Sequence, residues 1–439
     1  MKKITILATT LAFFTSANAQ QTSFKFDFGA GTVAKGYTQI LPADTFSKDK
    51  GYGFDFGTAI VLGAIDNKGK DAIKSNGLSS TKPFYFSIKV PEGNYEVTVT
   101  LGNAKANTNT TIKAESRRLM LENVATKAGQ FVTKTFIVNI KDAKINGTEK
   151  VGLKPRELGK LDWDDKLTLE FDNQPTVAAL EIRKVDDQIT VFLAGNSTVV
   201  NQDDEPWAAW GQMIPRFFTP GVAISNHAES GLTLGSFLGS KRLQKILSIA
   251  KKGDYLFVEF GHNDQKEKGP NDGAWKSYTE RFKLFISEAK KLGMVPVVVT
   301  STARRNFDST GKNINSLGDY PAAARKVAQD EGVALIDLNQ MSNKFYEALG
   351  VEPSKKAFVF YPANTYPGQK DELHDNTHFN PYGAYELAKC IAEGIKTSKL
   401  GIAKFLVNLP TFDPSKPDAV TAFYWPESPK STTVKPDGN

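Results

Sequence analysis

The sequence predicts two folded parts of different class: an all-β sandwich or jelly roll, then a three-layer α/β/α domain built on five parallel strands. Three observations carry this. Apolar residues recur at every second position between about residues 20 and 184, with no long amphipathic helix among them. From Ile189 onward the pattern changes to short apolar runs separated by stripes of helical period. The length, 439 residues, exceeds what one hydrophobic core usually serves.

Residues 1–19 read as a targeting leader. Lys2 and Lys3 form its positive end, residues 4–14 its apolar run, and Ala17-Asn18-Ala19 a small-residue cleavage site. The expectation is an exported protein, periplasmic or extracellular, whose mature chain begins at Gln20. The apolar run is too short to span a bilayer, and no later stretch looks transmembrane. Cys390 is the single cysteine, which excludes an internal disulfide and a cysteine-based metal site; it sits on an apolar helical face and is expected in the core. The formal net charge of +7 is compatible with an anionic substrate. Without a dense Lys/Arg block or a recognisable motif, nucleic acid is not expected as a partner.

In the first part, Phe84, Phe86, Ile88 and Val90 alternate with polar residues. Pro91-Glu92-Gly93-Asn94 marks a turn, and Tyr95, Val97, Val99 and Leu101 alternate again. This predicts a β-hairpin with one buried face. Phe136, Val138 and Ile140 repeat the pattern, as do Leu167, Leu169 and Phe171, and then Val177, Ala179 and Ile182. Tyr37, Tyr52 and Trp163 are candidate sugar-binding aromatics, although aromatics in such a domain more often pack in the core or a domain seam. The β-part is assigned to residues 20–186. No Pro/Gly-rich linker follows it, so the two parts are expected to dock rigidly.

In the second part, 187–400, apolar runs at 189–194, 222–225, 255–260, 295–300 and 333–337 predict five buried strands. Helices are expected near 207–218, 236–251, 320–331 and 381–398. The clearest stripe uses Trp275, Tyr278, Phe282, Phe285, Ile286, Ala289 and Leu292. Right-handed crossovers favour the flavodoxin-like strand order 2-1-3-4-5. Residues 401–439, rich in Pro and Ser with scattered aromatics, are expected to wrap the body as an extended tail that frays near Ser431.

Four polar blocks follow strand ends or precede the last helix: Gly195-Asn196-Ser197-Thr198, Asn226-His227-Ala228-Glu229-Ser230-Gly231, Gly261-His262-Asn263-Asp264, and Asp375-Asn376-Thr377-His378-Phe379. A serine hydroxyl needs a base to become a nucleophile, usually His oriented by a carboxylate. Asp375 and His378, three apart on a turn leading into a helix, can supply both, leaving the other ring nitrogen for Ser197. A tetrahedral intermediate also needs donors. The Ser197 and Gly231 N–H groups and the Asn263 amide are candidates.

These blocks resemble the SGNH, or GDSL-like, hydrolases, with Ser197, Gly231, Asn263 and His378 in the four signature positions and Asp375 completing a triad. The wording is closest to the rhamnogalacturonan acetylesterases, in Gly195 to Val199, Trp210-Gly211-Gln212, the block ending at Gly231, Gly261 to Asp264, and Asp375-x-x-His378-Phe379. One departure is Asn196, where the family usually has Asp. The resemblance implies a secreted carbohydrate esterase acting on acetylated pectic polysaccharide or oligosaccharide without a cofactor, behind a galactose-binding-like β-domain. Arg304 and Arg305 at the same sheet edge are candidate partners for uronate carboxylates. His227 and His262 are expected to be structural, His374 to face solvent, and no metal site is expected. A lipase or thioesterase, an acetylxylan-type esterase, and a non-catalytic carbohydrate-binding protein are the alternatives. Oligomeric state is left open.

Overall fold

The computed structural model describes residues 20–66, 71–430 and 435–437. The leader and the expected fraying at Ser431 lie outside the described residues.

The β-part is a sandwich of two five-stranded sheets. One runs in the order Phe131–Ile140, Gly93–Gly102, Ala179–Val185, Ser23–Phe28, Thr38–Ile40; the other runs Tyr52–Asp55, Phe84–Lys89, Lys166–Gln174, Thr108–Ala114, Arg118–Thr126. Their inner faces meet in an aromatic-rich core of Phe26, Phe28, Phe54, Phe84, Phe86 and Phe171. The expected hairpin at 84–101 is not formed. Phe84–Lys89 pairs with Lys166–Gln174 and Tyr52–Asp55, while Gly93–Gly102 pairs in the opposite sheet. The turn is an arch between sheets, held where the Tyr95 hydroxyl donates to the Pro91 carbonyl at 2.7 Å. Alternation reports which face is buried, and both strands do bury that face, but it does not name the pairing partner.

Of the three aromatics, none is an open platform. Tyr37 donates to Glu181 at 2.6 Å, and Tyr52 packs 5.0 Å from the Phe26 ring. Trp163 lies in the seam, with the His227 ring on its edge at 5.6 Å and Lys141 and Arg242 near its face.

The second part has five parallel strands, Ile189–Gly195, Val222–Asn226, Tyr255–Glu259, Val295–Val299 and Ala334–Ile336, in the order 2-1-3-4-5. Alternate residues of the central strand face opposite layers. Val191 and Leu193 join the core beneath helix Pro381–Thr397, which also holds Cys390; Phe192 and Ala194 join the core beneath helix Thr279–Lys291. Three helical expectations need correction. Residues 236–251 form two helices, Leu234–Gly239 and Arg242–Ile249, broken where Lys241 takes φ 61°. The stripe beginning at Trp275 starts late: Trp275 is exposed and donates to Asp319, and the regular helix begins at Thr279. Helix Leu338–Leu349 was not expected at all.

The seam between the parts is ionic and buried. The hairpin tip at 115–117 inserts into the α/β part, where Arg117 Nη1 donates to the carbonyls of Gln202 and Trp207 at 3.1 and 3.0 Å and pairs with Glu205. Arg118 bridges the Ile224 and Asn139 carbonyls. The tail returns to the sandwich: Trp425 donates to Glu205, and buried Lys113 donates to the Pro426 carbonyl and Ser428 while pairing with Glu170. Among the described residues, no helix is long and apolar enough to cross a membrane.

Candidate active site

Strand Ile189–Gly195 delivers Asn196, Ser197 and Thr198 into a turn at the carboxyl edge of the sheet. Only glycine fits at 195, since a Cβ there would lie 2.5 Å from Val199 Cγ2. The N–H groups of Val199 and Val200 both donate to the Asn196 carbonyl at 3.0 Å, which closes the turn. Gln202 Nε2 donates to the Ser197 carbonyl at 3.0 Å, and the Gln202 carbonyl is held in turn by Gln212 at 2.8 Å and by Arg117.

Ser197, His378 and Asp375 come together although 181 positions separate the serine from the histidine. Ser197 Oγ lies 2.8 Å from His378 Nε2, and His378 Nδ1 lies 2.8 Å from Asp375 Oδ2. All three are buried. Asp375 and His378 lie on strand Leu373–Phe379, rather than on a simple turn before the helix. That strand pairs with Phe358–Tyr361 through an irregular register, in which Val359 faces Asp375 while its neighbour Phe358 already faces Phe379. The extra residues bulge out, so side chains three apart face each other. The N–H groups of Thr377 and His378 donate to Asp375 Oδ1 at 2.8 and 3.0 Å and fix the bulge. Burial alone would raise the Asp375 carboxyl, but its interaction with His378 and the two main-chain donors together hold it below the usual carboxylate range. An ionised Asp375 makes Nδ1 the donor, so Nε2 is left as the acceptor facing the serine hydroxyl.

The other two blocks are tied to this one. Asn226 Nδ2 donates to the Val199 carbonyl at 2.7 Å and to Asn201 Oδ1 at 2.9 Å. Gly231 turns with φ +77°. Asn263 Nδ2 donates to the carbonyl of Leu232, the residue after Gly231, at 3.1 Å. Asp264 holds the third loop by accepting from the N–H groups of Leu234 and Gly261 at 2.8 and 2.9 Å. Among the described residues, no acceptor faces the main-chain N–H of Ser197 or of Gly231.

The remaining histidines do not join the triad. His227 bonds Ser225 at 2.9 Å, and burial with the nearby Lys141, Lys245 and Arg242 keeps it uncharged. His262 is likewise buried and held well below the ordinary imidazole range, by burial first and then by Arg304 and His378. His374 is exposed and pairs with Glu372 at 2.9 Å. Among the described residues, no group of three or more His, Cys, Asp or Glu could hold a metal ion. Arg304 and Arg305 sit at the sheet edge, but their donors are directed to the protein. Arg304 bonds the His262 carbonyl at 3.2 Å, and Arg305 bonds Ser354, Asn376 and the Val351 carbonyl.

Glu259 is a site residue that the sequence reading passed over. It ends an apolar strand, fully buried beneath the nucleophile turn. Its Oε1 accepts from Thr198 Oγ1 at 2.8 Å and its Oε2 accepts from Trp210 Nε1 at 2.5 Å. A lone carboxylate in a strand covered on both faces was the available signal. Burial raises it to about 7, against those bonds and the Thr302 N–H. It also accounts for Asn196. Asn196 Oδ1 shares the same Thr198 hydroxyl at 3.0 Å, so aspartate there would set a second carboxylate on one donor.

Replacing Asn196 with Asp is therefore expected to destabilise the fold by about 1–3 kcal/mol. The loss should grow above pH 7, where Glu259 ionises. In the unmodified chain, Glu259 and Asp264 keep their protons to about pH 7 in the fold, against ordinary values of 4.5 and 3.8. At these two groups the native state binds more protons than the unfolded one, so their contribution to stability falls as pH rises from about 4 to 7. It is opposite in sign to that of His227 and His262, whose lowered values leave them with fewer protons in the fold. Comparing E259Q with the unmodified chain isolates the Glu259 part. Thermal denaturation across that range checks both statements; a loss in N196D that is independent of pH would separate Asn196 from Glu259.

A family model described as GDSL-like Lipase/Acylhydrolase matches residues 193–384, and one described as Beta-agarase/YXIM esterase-like, galactose-binding domain-like matches residues 24–153. The chain is 41% identical over 222 residues to the rhamnogalacturonan acetylesterase RhgT of Bacillus subtilis (strain 168), covering 50% of this chain and 95% of that protein. It is 28% identical over 399 residues to the uncharacterized esterase YxiM of the same organism, covering 88% of this chain and 94% of that protein. The crystal structure of YXIM from Bacillus subtilis aligns with a TM-score of 0.45 at 25% identity, over 86% of this chain and 99% of that one. The chain belongs to the GDSL-like lipase/acylhydrolase family, carries a galactose-binding-like β-domain ahead of its hydrolase domain, and is a carboxylic-ester hydrolase.

Proposed function

We propose that this chain is an exported carbohydrate esterase that removes acetyl groups from pectic rhamnogalacturonan through an acyl-enzyme on Ser197. The observation that carries the chemistry is the unbroken line from Ser197 Oγ through the His378 ring to the Asp375 carboxylate, with 2.8 Å at each junction. The substrate assignment is supported by the relatives named as rhamnogalacturonan acetylesterases. Export, to the periplasm or beyond, is supported by the charge and apolar pattern of residues 1–19.

Ser197 Oγ attacks the acetyl carbonyl carbon while His378 Nε2 takes the hydroxyl proton. Asp375 holds the ring and steadies its charge. The carbonyl oxygen becomes an oxyanion, received by the N–H groups of Ser197 and Gly231 and by the Asn263 amide. Collapse expels the sugar oxygen, which takes the proton from His378 and leaves acetyl-Ser197. Water, giving a proton to His378, then attacks that ester; acetate leaves and the proton returns to Ser197. The reaction as written uses no cofactor.

Acetate release from acetylated rhamnogalacturonan, compared with acetylated xylan and acetylated homogalacturonan, tests the substrate. A preference for xylan would move the assignment to an acetylxylan-type esterase, and a preference for octanoyl over acetyl p-nitrophenyl esters would move it to a lipase. Replacing Asn263 with Ala is expected to lower kcat about 10²–10³-fold with little change in KM. Wild-type turnover in that variant would remove Asn263 from the mechanism.

A further inference from the structure

We propose that Lys154 and Arg156, contributed by the β-domain, form a carboxylate-binding subsite beside Gly231 that receives a uronate of the polysaccharide, and that the Asp437 carboxylate occupies it in the unliganded chain. This rests on the esterase reading, whose reacting centre Gly231 adjoins.

Lys154 Nζ lies 3.0 Å from Asp437 Oδ2 and donates to the Ser230 carbonyl at 2.6 Å. Arg156 Nη1 approaches the other Asp437 oxygen at 3.7 Å, while its Nε lies 3.5 Å from Glu229 Oε1 and leaves the rest of the guanidinium toward Asp437. A Cβ built on Gly231 would meet Asp437 Cβ at 3.0 Å and Lys154 Nζ at 3.1 Å, so cation and carboxylate both border the proposed oxyanion donor. A cavity of about 420 Å³ adjoins Arg156 and Asp437, its walls including Lys160, Lys430, Lys435 and Asp203. Lys160 is already committed to Asp203 and Glu229 at 2.9 and 3.1 Å. Lys154 is not: its only carboxylate partner among the described residues is Asp437.

The chemistry follows from these positions. The proposed path of an acetylated polysaccharide seated at Ser197 runs past Gly231, one of the oxyanion donors. A neighbouring sugar carrying a carboxylate there meets two cations fixed by the 3₁₀ turn Pro155–Gly159. Asp437 is about half exposed, and ion pairs of that kind are weak, so a substrate carboxylate displaces it readily. Arg304 and Arg305, the residues the sequence suggested for this task, have their donors turned toward the protein.

Calorimetric titration of the full chain with digalacturonate, and with galactobiose as its uncharged counterpart, tests the subsite without requiring turnover. In K154A/R156A the Kd for digalacturonate should rise about tenfold while that for galactobiose holds. In D437N, which removes the competing charge and keeps the shape, the Kd for digalacturonate should fall several-fold. Equal weakening of both sugars in K154A/R156A would show that the two cations only brace the 229–231 turn and would overturn the proposal. So would a D437N variant that binds digalacturonate no better than the unmodified chain. Because the readout is binding, failure of the esterase reading appears separately, as an absence of acetate release.

Discussion

Replacing Ser197 with Ala is expected to lower kcat on p-nitrophenyl acetate by about 10⁵–10⁶-fold, and replacing His378 with Ala by a similar factor. The two changes should not add. Ser197 Oγ is a nucleophile only while His378 Nε2, 2.8 Å away, can take its proton. Once either partner is gone the other has nothing to do, so the double variant should match the singles. What remains should be catalysis from the oxyanion donors alone, about 10³-fold over water. Single-turnover kinetics with mass spectrometry of the protein checks the same point: the native chain should carry an acetyl group on Ser197 transiently, and S197A should carry none. Activity in S197A above about a hundredth of the native value would mean that another group attacks the ester.

Replacing Asp375 with Asn should cost about 10⁴-fold in kcat with the fold intact. Its Oδ1 accepts two main-chain N–H groups, from Thr377 and His378, and these pin the oxygen of an asparagine in the same place. The amide nitrogen must then point at His378 Nδ1. That nitrogen becomes the acceptor, the ring proton moves to Nε2, and Nε2 can no longer accept from Ser197. The loss therefore comes from the wrong tautomer. Nitrogen NMR of the His378 ring should show the proton moved from Nδ1 to Nε2, and the melting temperature should change little. A loss below tenfold would mean that the ring keeps its tautomer by other means.

The nucleophile and the oxyanion donors were legible in the sequence because each sits just past a strand end, where an apolar run stops and a short polar block begins, and Asp375 and His378 because of their spacing ahead of the last helix. Ser197, Gly231 and Asn263 each follow such a run, and the order 2-1-3-4-5 follows from helices alternating with strands. What the sequence left unread depends on partners far along the chain. The arch at 90–93 has the same alternation as a hairpin. Glu259 was hidden inside an apolar run, because a single polar residue does not disturb a strand's pattern. The broken helix at Lys241 and the late start after Trp275 reflect local backbone geometry, which a stripe of apolar residues averages over. Trp275 has the right spacing for the core and lies outside it because the regular helix does not reach it.

Arg117 and Arg118 have a consequence for how the molecule comes apart. Their guanidinium groups cap main-chain carbonyls at Gln202, Trp207 and Ile224, within or next to the segments that carry the nucleophile. Separating the chain between 185 and 189 would leave those cations on one piece and their acceptors on the other, and each piece would lose the buried partner it has in the intact chain. The two halves should accordingly melt as one calorimetric transition. The hydrolase half expressed by itself should denature at a lower temperature, its serine loop deprived of the Arg117 support.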